Sequence, residues 1–304
     1  MKSLLGIGEC MIELSSAGDN LWKQSFAGDV FNTLWYAKAL MAEDTAIDFF
    51  SAVGDDQSSE DLVEFIEKAG ISCAGIPRIE KGVPGLYRIH LDGAERSFSY
   101  WRDTSAAKQF MKSPELLWKQ IATADIVYLS GITVAILPDE DVEVFISGLR
   151  AALKPGAIVA FDPNIRPRLW ANEARMKDVI TRTAAISDLV MPSFEDEETT
   201  FGDKTPMATA QRYQALGVKQ VLVKNGEDDT LFVEGDKAEY FPVKTVEGVL
   251  DTTAAGDSFN GAFFAEYMVS GDVPKAISLA QRCAGVVICN KGALIPFETV
   301  KASV

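Results

Sequence analysis

The run Asp251-Thr252-Thr253-Ala254-Ala255-Gly256-Asp257 sets small residues and a carboxylate just ahead of a mostly apolar helical stretch, 259–269. The first amides of a helix lack intrahelical partners and lie at the positive end of its dipole. Alanine and glycine there let an anion approach closely, so the backbone of Ala254, Ala255, Gly256 and Asp257 forms a candidate anion hole. Asp257 itself reads two ways. It is an N-cap accepting from amides two or three residues on, or, beside a bound phosphoryl group, a base that takes the proton of an attacking hydroxyl.

Other chemistries are excluded or weakened by residue type. His90 is the single histidine, so two-histidine metal motifs are impossible and a Ser-His-Asp triad has one residue to build on. No Gly-Lys pair exists, which removes the Walker A loop, and no His-Arg-Asp segment exists, which removes the protein-kinase catalytic loop. Gly6-Ile7-Gly8 opens like a dinucleotide fingerprint, but Met11 stands where its third glycine belongs. The net charge is -15, from 44 acidic and 29 basic residues, a field that repels nucleic acid and anionic membranes. An anionic ligand must therefore be held by local basic groups and backbone dipoles. Cys10, Cys73, Cys283 and Cys289 lack zinc-ligand spacing and read as small buried hydrophobes. With no apolar run of signal-peptide or membrane-span type, the cytoplasm is the expected compartment.

The elements that must position these residues alternate. Strand-like apolar runs fall at 4–7, 126–129, 157–161, 189–191 and 220–223, with helical patterns at 32–42, 59–69, 139–153, 174–186 and 207–216. Such alternation predicts βαβ units and a parallel sheet covered by helices on both faces. Residues 85–101 break the pattern as a hairpin around Asp92-Gly93, and 11–15 and 23–26 read as two further short strands. They form either a small lid sheet over the main domain or an antiparallel edge of the main sheet.

The run 251–257 resembles the second signature of the PfkB, or ribokinase-like, carbohydrate kinases, with Ala254-Ala255-Gly256-Asp257 where the family has a Gly-Ala-Gly-Asp type turn. The opening Gly8-Glu9, Ala27-Gly28-Asp29 with Asn32, and the hairpin extend the resemblance over nearly the whole chain. A narrower similarity, to the 2-keto-3-deoxygluconate kinases, is carried by residues 8–14, Pro84-Gly85-Leu86-Tyr87, Tyr100-Trp101-Arg102, Leu129-Ser130-Gly131-Ile132 and the long run 161–170. The resemblance implies a single α/β domain over 1–304, an αβα three-layer sandwich with lid strands from about 11–27 and 85–102.

It further implies ATP and Mg²⁺, Asp257 as base, and phosphorylation of the C6 hydroxyl of a sugar acid. Gly28, Asp29, Asn32, Tyr87 and Tyr100 match substrate positions, and Arg102 and Arg166 match the grip on the carboxylate. Arginine forks suit that group, although two arginines in an acidic protein also read as solvated surface charges. Ser193, Lys224, Gly226, Ala284 and Asn290 match the nucleotide side. Where many relatives carry Asn-x-x-Glu, this chain has Ser193-Phe194-Glu195-Asp196, which leaves Asp196, or its neighbour Glu195 or Glu197, to support Mg²⁺ through water, or all three acids to cap a helix. The lid implies a homo-oligomer. Two alternatives remain: a kinase for another sugar, such as fructose or the galactonate epimer, and a non-catalytic sugar-binding relative.

Overall fold

The computed structural model describes residues 2–42, 45–92 and 95–304. In chain order the strands are β1 (Ser3–Ile7), β2 (Met11–Ser16), β3 (Trp22–Ala27), β4 (Ala46–Phe50), β5 (Leu86–Asp92), β6 (Glu95–Trp101), β7 (Ile126–Ser130), β8 (Ile158–Asp162), β9 (Leu189–Val190), β10 (Gln220–Val223), β11 (Thr230–Glu234) and β12 (Lys237–Phe241). Eight of them form one sheet in the order β12-β11-β10-β9-β8-β7-β1-β4. From β10 to β4 every pairing is parallel, and β11 and β12 add an antiparallel edge.

Parallel strands buried on both faces need apolar residues at successive positions. All five residues of β7, Ile-Val-Tyr-Leu-Ser, are buried. Alternate residues then go to opposite helical layers. Leu4, Tyr128, Ala160 and Leu222 pack with the helices Asp29–Leu40, Gln57–Lys68, Ala255–Ser270 and Val273–Ile288. Leu5, Val127, Leu129, Phe161 and Val221 pack with Pro114–Ile121, Asp139–Ala152, Glu173–Ala185 and Pro206–Ala215. Two cores on one sheet make the expected αβα sandwich.

The remaining four strands settle the question of the hairpin. They form a separate sheet in the order β3-β2-β5-β6, with β2 and β5 parallel. The β5–β6 register pairs Leu86 with Trp101 and Asp92 with Glu95, whereas Gly93 of the expected turn lies outside the described residues. The single histidine, His90, sits in this sheet, its Nε2 2.9 Å from Ser99 Oγ. Three cysteines are buried as expected; Cys289 is only half-buried, at the end of the helix Val273–Ile288. No helix among the described residues is long and apolar enough to cross a membrane.

One glycine decides where the turn 251–257 lands. A Cβ on Gly261 would lie 2.3 Å from the Thr33 carbonyl oxygen, so the helix Ala255–Ser270 rests directly on the backbone of Asp29–Leu40. Gly261 is one turn beyond Asp257, and this contact brings the starts of the two helices together.

Candidate active site

The candidate residues gather where parallel strands end, the usual place for a ligand in a wound α/β sheet. Asp257, in the first turn of its helix, accepts a hydrogen bond from Asn32 Nδ2 at 2.8 Å. Asn32 Oδ1 in turn accepts from the Gly28 amide at 3.3 Å. Gly28 is sterically required, since a Cβ there would lie 2.0 Å from the Glu9 carbonyl oxygen. Burial first, then the like charge of Asp29, push the Asp257 carboxyl up to about 7, against the Asn32 hydrogen bond.

The anion turn differs in detail from the expectation. Ala254 is the left-handed residue before the helix, at φ 59, a conformation that costs a non-glycine side chain about 1 kcal/mol or more. The Ala255 amide is already taken, donating to the Thr252 carbonyl at 3.2 Å. Among the described residues, no backbone hydrogen bond engages the amides of Ala254, Gly256 and Asp257, which are left to meet an anion. Asp251 anchors the turn, accepting from Thr253 N at 3.0 Å and Gly292 N at 2.7 Å.

The two arginines are each engaged. Arg102, directly after β6, pairs with Glu9, and both are buried, at 9% and 1% exposure. Glu9 Oε1 and Arg102 Nε are buried without a hydrogen-bond partner among the described residues. Arg166 is half-exposed, donating to its neighbour Ile165 O at 2.7 Å and reaching Asp196 Oδ2 at 3.5 Å. Arg102 therefore departs from the solvated-surface reading, while Arg166 fits it more closely. On the small sheet, the Tyr87 hydroxyl is committed to the Glu13 carboxylate, and Tyr100 stands 48% exposed with its ring 5.9 Å from that of Tyr87.

The nucleotide-side candidates divide. A cavity of about 730 Å³ lies between the segment after β12 and the helix Val273–Ile288, lined by Asn290 and by the basic Lys244 and Arg282. Ala284 packs against the core beside it instead. Gly226 turns at φ 60, and Ser193 bridges to Lys224 through the backbone. The Lys224 side chain is 8% exposed and turned inward, its Nζ 2.6 Å from Asp162 Oδ2 and 3.2 Å from Asn260 Oδ1. Of the three adjacent acids, Glu195 is exposed, and Glu197 is buried with the Tyr213 hydroxyl at 2.9 Å and Arg212 Nη2 at 2.6 Å. Asp196 alone of the three is placed towards Arg166, its carboxyl raised by burial. The described residues hold no cluster of three metal-binding side chains. That donor set fits Mg²⁺ carried on nucleotide phosphates and reached from Asp196 through water.

Sequence reasoning gave no role to Glu9, Asp162, Asn164 or Asn260. Asn164 Nδ2 holds Asp29 Oδ2 at 2.7 Å, and Asp162 Oδ1 accepts from the Asn164 amide at 3.0 Å. The available signal was a carboxylate closing an apolar strand, as Asp162 closes β8.

A turn of helix-start amides thus stands beside a buried carboxylate on an αβα sandwich with a second small sheet. The chain matches the sequence profile of the pfkB family carbohydrate kinases over residues 1–300 and belongs to that family. It is 34% identical over 301 residues to a 2-dehydro-3-deoxygluconokinase of Haemophilus influenzae, covering 97% of this chain and 96% of the relative. It is 34% identical to another from Dickeya dadantii over 308 residues, covering 99% of each. In fold it is similar to a fructokinase from Xylella fastidiosa with bound ATP, at a TM-score of 0.81, 22% identity, and 99% and 97% coverage of the two chains.

Proposed function

We propose that this kinase transfers the γ-phosphoryl group of ATP to the C6 hydroxyl of 2-keto-3-deoxygluconate, the sugar acid named, as 2-dehydro-3-deoxygluconate, in its relatives at 34% identity. The observation that carries the reading is Asp257, held by Asn32 at the start of a helix whose first amides have no backbone partner. Asp257 accepts the hydroxyl proton as the oxygen attacks, and the Gly256 and Asp257 amides stabilise the charge on the transferred group. Mg²⁺, when bound, neutralises nucleotide phosphate charge, and Asp196 is the residue that would hold its water shell. Arg102 and Arg166 offer the acid's carboxylate its positive partners, and closure of the small sheet excludes water.

The test is ADP release with Mg-ATP against 2-keto-3-deoxygluconate, its galactonate epimer, gluconate, fructose and ribose. Preference for the first supports the reading; preference for a neutral sugar keeps the fold and removes the arginine grip. Arg166→Ala separates these further. Its weak pairing with Asp196 costs little to break, so stability should hold. KM for the acid should rise about tenfold or more, the loss of one charge-assisted contact, with little change for fructose. An equal change for both sugars contradicts the assignment.

The outer face of the small sheet supports self-association. Leu14, Trp22, Leu86, Arg88 and Trp101 surround one shallow cavity, Trp101 is 58% exposed, and the Arg88 guanidinium lies 3.8 Å over the Trp22 ring. A homo-oligomer through this face predicts a light-scattering mass that is a multiple of 33.0 kDa. Trp101→Glu should return it to that of one chain; an unchanged multiple would place the contact elsewhere.

A further inference from the structure

Lys224 is buried beneath the anion turn. Its Nζ is 2.6 Å from Asp162 Oδ2, 3.2 Å from Asn260 Oδ1 and 3.5 Å from where a Cβ on Gly256 would stand. Asn260, one helical turn beyond Asp257, donates Nδ2 to Asp162 Oδ2 at 2.6 Å and to the Tyr128 hydroxyl at 3.1 Å. Thr33, adjacent to Asn32, closes the group by donating to Tyr128 at 3.3 Å. The other Asp162 oxygen accepts from the Asn164 amide, and Asn164 holds Asp29. One cluster therefore touches the turn's underside, the helix bearing Asp257, and the residue that holds Asp29.

We propose that Lys224, Asp162 and Asn260 form a charge-balanced positioning cluster, which seats the anion turn and fixes the basicity of Asp257. The proposal rests on Asp257 being the base, the reading given above. A buried ammonium is retained when paired and hydrogen-bonded, as here. Lys224 and Asp162 cancel one another's fields, so neither sugar nor nucleotide meets a net charge from below. Because the ammonium is committed inward, its contribution to phosphoryl transfer runs through the turn it supports.

The pH dependence discriminates this from simple packing. The titratable and charged groups around Asp257 are Asp29 and Tyr36 on the helix Asp29–Leu40, Tyr128 on β7, Asp162 at the end of β8 and Lys224 after β10. Tyr36 and Tyr128 are raised by burial and stay neutral across the working range. Asp29 raises Asp257, Asp162 adds to that, and Lys224 opposes it. Protonated Asp257 cannot accept a proton, so wild-type kcat/KM should fall as pH drops below about 7.

The experiment is the kcat/KM pH profile with Mg-ATP and 2-keto-3-deoxygluconate, from pH 5 to 9. Asp162→Asn leaves Lys224 uncompensated and should move the acid limb down by about one pH unit. Lys224→Gln leaves Asp162 uncompensated and should move it up by a similar amount, about one unit. The double variant buries no charge and should bring the limb back near wild type. If either single variant melts below assay temperature, the remaining single and the double decide the question. Limbs that stay fixed, or both single variants moving the same way, overturn the proposal. Should Asp257→Asn retain normal turnover, the base assignment fails instead, independently of these shifts.

Discussion

Asp257→Asn is expected to lower kcat by about 10²- to 10⁴-fold, the usual worth of a positioned general base, while KM for the sugar stays within a few-fold. Asparagine keeps the shape and an oxygen for Asn32 Nδ2, 2.8 Å away in the native protein, so the helix start should hold its place. The variant also removes a carboxylate that burial and Asp29 disfavour in its charged form. Above pH 7 its melting temperature should therefore equal or exceed that of the native protein. Loss of turnover with retained stability and ATP binding identifies the base. Near-normal turnover reduces Asp257 to a structural partner of Asn32, since Ala254 and not Asp257 is the residue that caps the helix.

The second large effect concerns the ion pair between the two sheets. Glu9 follows β1, Arg102 follows β6, and each is the other's charged partner in a nearly closed space. Gly85 leaves the room for it, since a Cβ there would fall 2.7 Å from Glu9 Oε1. Removing one member strands the other, so Glu9→Ala should cost about 3–5 kcal/mol by denaturant unfolding. Replacing both by apolar residues, Glu9→Leu with Arg102→Met, should recover most of that loss, because the desolvation penalty disappears with the charges. The stable double variant should still bind the sugar acid poorly. If it binds the acid as the native protein does, Arg102 is purely a structural partner of Glu9.

Much of the sandwich was legible because parallel strands and amphipathic helices have different periods. Five strand runs and five helical runs read from the sequence all appear, each shifted by no more than about three residues, within the usual uncertainty of element ends. β12 escaped because Lys237–Phe241 is exposed at four of five positions and holds no apolar run. β4 is five residues long with a central aspartate, Asp48, too brief to stand out. Within the site, the turn 251–257 and its carboxylate were visible as local sequence. The environments of Arg102 and Lys224 were not, because Glu9 lies 93 residues from the one and Asp162 62 residues from the other. A lysine before Asn225-Gly226 looks solvent-facing until the strand that pairs with it is known.

The hydrogen bond from Asn32 to Asp257 spans 225 residues, and that from Asn260 to Asp162 spans 98. β1 likewise waits for β7, across more than a hundred intervening residues, before its second edge is filled. Contacts of such long range form late and slowly in a folding chain. On the ribosome, the four strands of the small sheet emerge well before the helix that carries Asp257. An unfinished copy thus lacks the Asn32–Asp257 contact until the helix Ala255–Ser270 has emerged.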